Sequence, residues 1–120
     1  MTVGIREQIG ENIIEIDLRG KLSKEDYRSF VPEIEEQIRR YGKVRVLVQM
    51  NDFHGWTPGG LWEDIKFDVK HFNHLERIAF VGNTRWEAAM TTFCKAFTSA
   101  TIRFFEPEQV EAGRVWLHSP

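Results

Sequence analysis

The sequence predicts one α/β domain over residues 1–120, a mixed and mostly parallel sheet with helices packed on it. Three observations carry that expectation. Val44-Arg45-Val46-Leu47-Val48-Gln49-Met50 is apolar with little alternation, the pattern of a central strand covered on both faces. On either side of it, strand-like and helix-like periods alternate along the chain. Short Gly, Asn and Pro clusters separate these segments, with no repeat, low-complexity tract or linker between them. The implied order is β-β-α-β-α-β-α-β-α.

Composition narrows the function classes. The chain carries 16 basic and 18 acidic residues, intermixed, for a formal net charge of -2. No basic stripe points to nucleic acid. No run approaches the roughly 18 apolar residues of a membrane span, and no N-terminal stretch reads as a signal peptide. Cys94 is alone, which fits a reducing compartment, so the expected location is cytoplasmic. Nine Phe, four Trp and two Tyr make the domain rich in aromatic rings, and these rings are the main candidates for a site.

Residues Val3 to Glu7 and Ile13 to Leu18 read as a hairpin with the first strand at an edge. In the second strand Ile14, Ile16 and Leu18 alternate with Glu15, Asp17 and Arg19, predicting one buried and one wet face. Ser23 and Asp26 resemble a capping box. Tyr27, Phe30, Val31, Ile34, Ile38 and Tyr41 then fall at helical spacing, Gly42 stops the helix, and Pro32 is expected to kink it or split off its first turn. After the central strand, Asn51 to Gly60 reads as a Gly-rich loop. Thr57 and Pro58 open a helix to about His74, with Leu61, Trp62, Ile65, Val69 and Phe72 on its buried face and Phe67 nearly opposite.

Arg77 to Val81 is the next strand. Thr84 and Glu87 form a capping box for a helix to Phe97, on which Trp86, Ala89, Met90, Phe93 and Phe97 share a face. Thr101 to Phe105 is the last strand. A final helix opens at Glu106-Pro107-Glu108, aligning Val110, Gly113 and Leu117, with Trp116 beside them.

This order resembles the STAS fold of anti-sigma-factor antagonists, and more closely the SpoIIAA-like family, grouped with CRAL-TRIO lipid-binding domains. The resemblance rests on Gly20-Lys21-Leu22-Ser23-Lys24-Glu25-Asp26-Tyr27, Phe30-Val31-Pro32-Glu33-Ile34-Glu35 and Gly42-Lys43-Val44-Arg45-Val46-Leu47. It continues through Trp62-Glu63-Asp64-Ile65-Lys66-Phe67, Arg77-Ile78-Ala79-Phe80-Val81-Gly82 and Ala112-Gly113-Arg114-Val115-Trp116-Leu117. It implies a non-enzymatic domain, either a carrier of an apolar ligand that touches membranes or a switch that binds a protein partner. The switch proteins carry a phosphorylated Ser at the start of the helix after the central strand. Here that stretch, Gly55-Trp56-Thr57-Pro58-Gly59-Gly60, has no Ser, and Thr57 is the residue available for phosphorylation.

The leading expectation is therefore a binding domain for an apolar or amphipathic, lipid-like ligand. Phe53, Trp56, Trp62, Trp86, Met90 and Phe93 would line its site, and Arg85 would meet a polar head group at a helix start. The helix from Pro58 would move against the helix from Thr84 to admit the ligand, with Gly55, Gly59 and Gly60 as hinge. Trp56 and Phe67 are the candidate contacts for peripheral membrane association. The alternative is a protein-interaction switch at Thr57. No catalytic group, metal or cofactor is expected. His71 and His74 stand three apart on a helix but lack a third ligand at a motif spacing, and Asp52 with His54 is an acid/base pair in type alone.

Overall fold

The computed structural model describes residues 3–7, 12–71, 73–83 and 99–120. Their elements are strands β1 (Val3–Glu7) and β2 (Ile13–Leu22), helix α1 (Lys24–Tyr41), strand β3 (Val44–Trp56), helix α2 (Pro58–Lys70), strands β4 (Leu75–Val81) and β5 (Thr101–Phe105), a 3-10 turn (Pro107–Gln109) and helix α3 (Val110–His118). The strands form one sheet in the order β1-β2-β3-β4-β5. β1 pairs antiparallel with β2 at the edge, and β2 to β5 run parallel. The edge hairpin and the central place of Val44–Met50 match the reading of the sequence. The helix expected from Thr84 to Phe97 lies outside the described residues, as does Phe72.

The sheet has an apolar layer on each face. Ile14, Ile16 and Leu18 of β2, Val46, Val48 and Met50 of β3, and Ile78 and Phe80 of β4 point to one side, where α1 packs through Tyr27, Phe30, Ile34 and Ile38. Ile13, Leu47, Ala79, Val81 and Phe105 point to the other, under Leu117 of α3. Glu15 lies on that second face and was expected to be wet. It is buried instead, because Arg114 of α3 reaches over it with Nε and Nη2 at 2.9 and 3.0 Å from its two carboxylate oxygens. That bidentate pairing gives both oxygens of the buried carboxylate a partner.

Three local expectations need correction. Ser23 caps α1 with the capping box as read, and the helix continues through Pro32, so no first turn is split off. Residues 51–56 are not a loop. β3 continues to Trp56 and stays paired with β2 through Gly20, Lys21 and Leu22, across two register shifts. Positive φ at Gly20 (64°), Asp52 (55°) and Gly55 (100°) absorbs those shifts, so the glycines that read as loop punctuation serve as bulges within strands.

The third correction concerns which way α2 faces. Trp62 and Val69, assigned to its buried side, are 60% and 59% exposed. Gly60, Asp64, Phe67 and His71, spaced four, three and four apart, form the inward stripe instead, with Phe67 packed against the main core. The cause is at the helix start. The Leu22 carbonyl accepts the Thr57 amide at 2.8 Å, and a Cβ placed on Gly60 would stand 2.3 Å from the same oxygen. Only a glycine lets the helix approach that closely, and the approach decides its roll.

Gly60→Ala should therefore cost about 2–3 kcal/mol, as an overpacked backbone contact does. Chemical denaturation would show it as a lower midpoint, with the neighbouring Gly59→Ala, whose Cβ meets only the Lys24 Cβ at 3.5 Å, close to wild type.

Candidate ligand-binding site

Helices α1 and α2 lie over the same face of the sheet without filling the space beneath them. Val46 and Val48 form a low floor there, while Phe30, Phe67 and Phe80 stand around it as rigid rings. The result is a cavity of about 100 Å³, also lined by Ile16, Leu18 and Leu22 of β2, Val31 and Ile34 of α1, Met50, and Leu75 and Ile78 of β4. The cavity is partly open to solvent, and protein interiors are close-packed, so an apolar hollow of this size beside the core is a feature to be explained.

Three polar groups among the described residues also line it. The Trp56 indole N–H donates to the Tyr27 hydroxyl at 2.7 Å, and that hydroxyl donates to Oδ1 of Asp64 at 2.7 Å. Each comes from a different element: Trp56 from the bulged end of β3, Tyr27 from the first turns of α1, Asp64 from the inward stripe of α2. Phe53 backs the group, its ring edge-on to Trp56 with centroids 5.2 Å apart. An apolar chamber with a chain of oriented donors and an acceptor in its wall is the usual make-up of a small-molecule site.

At the far end of α2 a second polar cluster ties it to α1. Nε2 of the buried His71 and Nζ of Lys70 both meet Oε2 of Glu35, at 2.9 and 2.8 Å. Nδ1 of His71 faces Nδ1 of His74 at 2.9 Å, a separation that one bridging proton satisfies. The His71 ring leans on Phe67 with centroids 4.8 Å apart, so this cluster holds a ring of the cavity wall. The hydrogen bond from Lys70, followed by that from His71, keeps the Glu35 carboxyl below its ordinary pKa.

The residues proposed from sequence distribute unevenly. Trp56 lines the cavity, and Phe53 supports it from behind. Trp62 is on the outer side of α2, where the close seat of Gly60 turns it. Arg85, Trp86, Met90 and Phe93 lie outside the described residues, and with them the expected movement between two helices. Phe67 and Trp56, named as surface contacts, are half-buried and packed against the core. Thr57 caps α2, its hydroxyl oxygen accepting the Gly60 amide at 3.0 Å. Asp52 and His54 form an exposed pair at 3.2 Å, away from the cavity lining. Among the described residues, no three His, Cys, Asp or Glu side chains converge as metal ligands.

Sequence reasoning missed Tyr27 and Asp64 as site residues. Tyr27 was legible as a core position of α1, and its hydroxyl was the one available clue, since a buried phenol needs a partner. Asp64 sits on a helix with many charges, and nothing in its spacing singles it out.

A family model described as SpoIIAA-like matches residues 13–118 of the chain. No curated protein matches it. Among solved structures, the fold is similar to an uncharacterized protein of the DUF3478 family, with a SpoIIAA-like fold, from Shewanella loihica PV-4. The two share 24% identity with a TM-score of 0.79, over 96% of this chain and 91% of that one. It is also similar to the anti-sigma factor antagonist SpoIIAA in its unphosphorylated form, at 11% identity and a TM-score of 0.60, over 95% and 97% of the two chains. At these identities the likeness is one of fold.

Tyr27→Phe removes both hydrogen bonds of the cavity wall at once and should destabilise the protein by about 1–3 kcal/mol. Denaturant titration would measure the loss, and the Trp56 contribution to near-UV circular dichroism should fall with it. Glu35 has a lowered folded pKa, so its contribution to stability is fully present above the unfolded value of 4.5 and is lost as the pH falls through the folded one. Glu35→Gln should then lie below wild type in stability at about pH 7, and the gap should narrow at about pH 3, below the unfolded value of 4.5. Urea midpoints at the two pH values test this.

Proposed function

The chain belongs to the SpoIIAA-like family, and from its cavity we propose that it is a non-enzymatic binding domain for a small apolar or amphipathic molecule. The single observation behind this reading is the apolar chamber walled by Trp56, Tyr27 and Asp64. Its volume narrows the ligand class. A dry apolar cavity of about 150 Å³ binds benzene, so about 100 Å³ suits one ring or a short alkyl group rather than a whole lipid tail. The domain sequesters such a group and orients it by the polar wall. Nothing in that role requires bond making.

The isoleucine methyls supply the test. Ile16, Ile34 and Ile78 line the chamber, while Ile13 is buried on the opposite face of the sheet. Titration with toluene should shift the first three methyl resonances saturably and leave Ile13 in place. A filled variant, Val48→Ile, should weaken that response and raise the thermal midpoint. Absence of any saturable shift would sink the reading. Association with membranes is its wider form, and the apolar side chains of α2 available for it are Trp62 and Val69. Trp62→Ala should then reduce binding to anionic vesicles without changing the toluene response.

A protein-interaction switch is the second reading. Its support is the position of Thr57 at the start of α2, whose outer side presents Trp62 and Val69 as a surface that a partner would read. A phosphate on Thr57 would disturb the cap to Gly60 and the close approach to Leu22 together. Phosphosite mapping after incubation with cell extract addresses this reading separately from ligand binding.

A further inference from the structure

Between the outer sides of α1 and α2 runs an open groove of about 440 Å³. Tyr27, Val31 and Phe67 line both this groove and the cavity, so these three side chains are the partition between them. Rotation of the Phe67 ring or a small separation of the helices would join the two spaces, whereas the cavity floor is the hydrogen-bonded sheet. The groove is therefore one route from solvent to the chamber, and it passes these side chains.

Its charges are unequal in their commitments. Lys66 pairs with Glu63 at 3.1 Å, and Lys70 pairs with Glu35 at 2.8 Å. Glu35 is further engaged by His71 at 2.9 Å. Arg28 completes the polar lining, is exposed, and has no acidic partner among the described residues. The acids of the groove are thus neutralised and one guanidinium remains uncommitted. On the inner side of the partition the only carboxylate among the described residues is Asp64, which lines the cavity but not the groove. Cation outside and carboxylate inside give the route a polarity: an anionic end is attracted at the mouth and repelled from the chamber.

We propose that this groove is the entrance to the cavity and the subsite for an anionic end group, so that the ligand is a small carboxylate bearing one aromatic ring or a short alkyl chain. The ring passes Phe67 and enters the apolar chamber, and the carboxylate stays in the groove on the planar fork of Arg28. This rests on the proposed role of the cavity as a binding site, and adds which end faces outward and through which door it passes.

Three probes with the same ring separate the possibilities: hydrocinnamate, phenethyl alcohol and phenethylamine, each titrated against the Ile16, Ile34 and Ile78 methyls, with toluene as the probe of the chamber alone. Hydrocinnamate is expected to bind about tenfold more tightly than the alcohol and the amine, with an advantage that shrinks as salt is added. Arg28→Glu, at an exposed position that leaves the fold intact, should erase this advantage and leave toluene binding unchanged. Phe67→Ala should speed ligand exchange severalfold. Equal affinity for acid and alcohol, or an acid preference that survives Arg28→Glu, overturns the anionic subsite while the toluene result stands. An exchange rate unchanged in Phe67→Ala overturns the entrance. Failure of toluene and all three probes overturns the cavity reading and this inference with it.

Discussion

The seat of Gly60 on the carbonyl of Leu22 governs the placement of α2 and, through it, the shape of the chamber. That oxygen ends β2, accepts the amide of Thr57, and leaves no room for a Cβ on α2. Once the helix start is pinned there, its roll about its own axis is determined. Asp64, Phe67 and His71 must then face the sheet and α1, and Trp62 and Val69 must face away. A helix with a different residue at this position would stand off the sheet, and its broader apolar side would be free to turn inward.

The roll has an energetic logic. The inward stripe is less apolar than the outward one, so hydrophobic burial alone would choose the opposite orientation. What offsets this is a set of polar contacts formed only in the observed one. Asp64 meets the Tyr27 hydroxyl, and His71 and Lys70 meet Glu35, so α1 and α2 are joined at both ends by hydrogen-bonded groups. Phe67 sits between the two ends, held by His71 on one side and the core on the other. The helices are thereby fixed at a distance from the sheet that the short valines beneath do not fill, and the chamber is the consequence. A cavity maintained this way is rigid at its corners and weakest at the ring in the middle.

The second face of the sheet obeys simpler rules. Leu117 and Gly113 of α3 lie against Leu47 and Phe105, and Arg114 covers Glu15. The side chains of Arg45 and Arg77 gather the carbonyls of residues 116, 117, 119 and 120, which ties the end of α3 to the centre of the sheet. This face has the character of a closed core, and it leaves the α1–α2 side to carry a site.

The residues alone determined the architecture. The mostly apolar run of Val44–Met50, with little alternation, read as an interior strand, the Ser23–Asp26 box and Gly42 bounded α1, and the hairpin came with the alternation of Ile14, Ile16 and Leu18. These are local properties, set by period, caps and backbone freedom within a few residues. The site was not local. Tyr27, Trp56 and Asp64 are separated by 29 and 37 residues from Tyr27 outward, and no spacing along the chain signals their meeting. Whether Gly20 and Gly55 were loop or bulge depended on the strand opposite. The face of α2 that turned inward depended on one carbonyl oxygen of β2 and on partners from α1. Hydrophobic periodicity measures how apolar each side of a helix is. Only the tertiary structure decides which side fits, because steric contact and buried hydrogen bonds are made between segments that the chain keeps far apart.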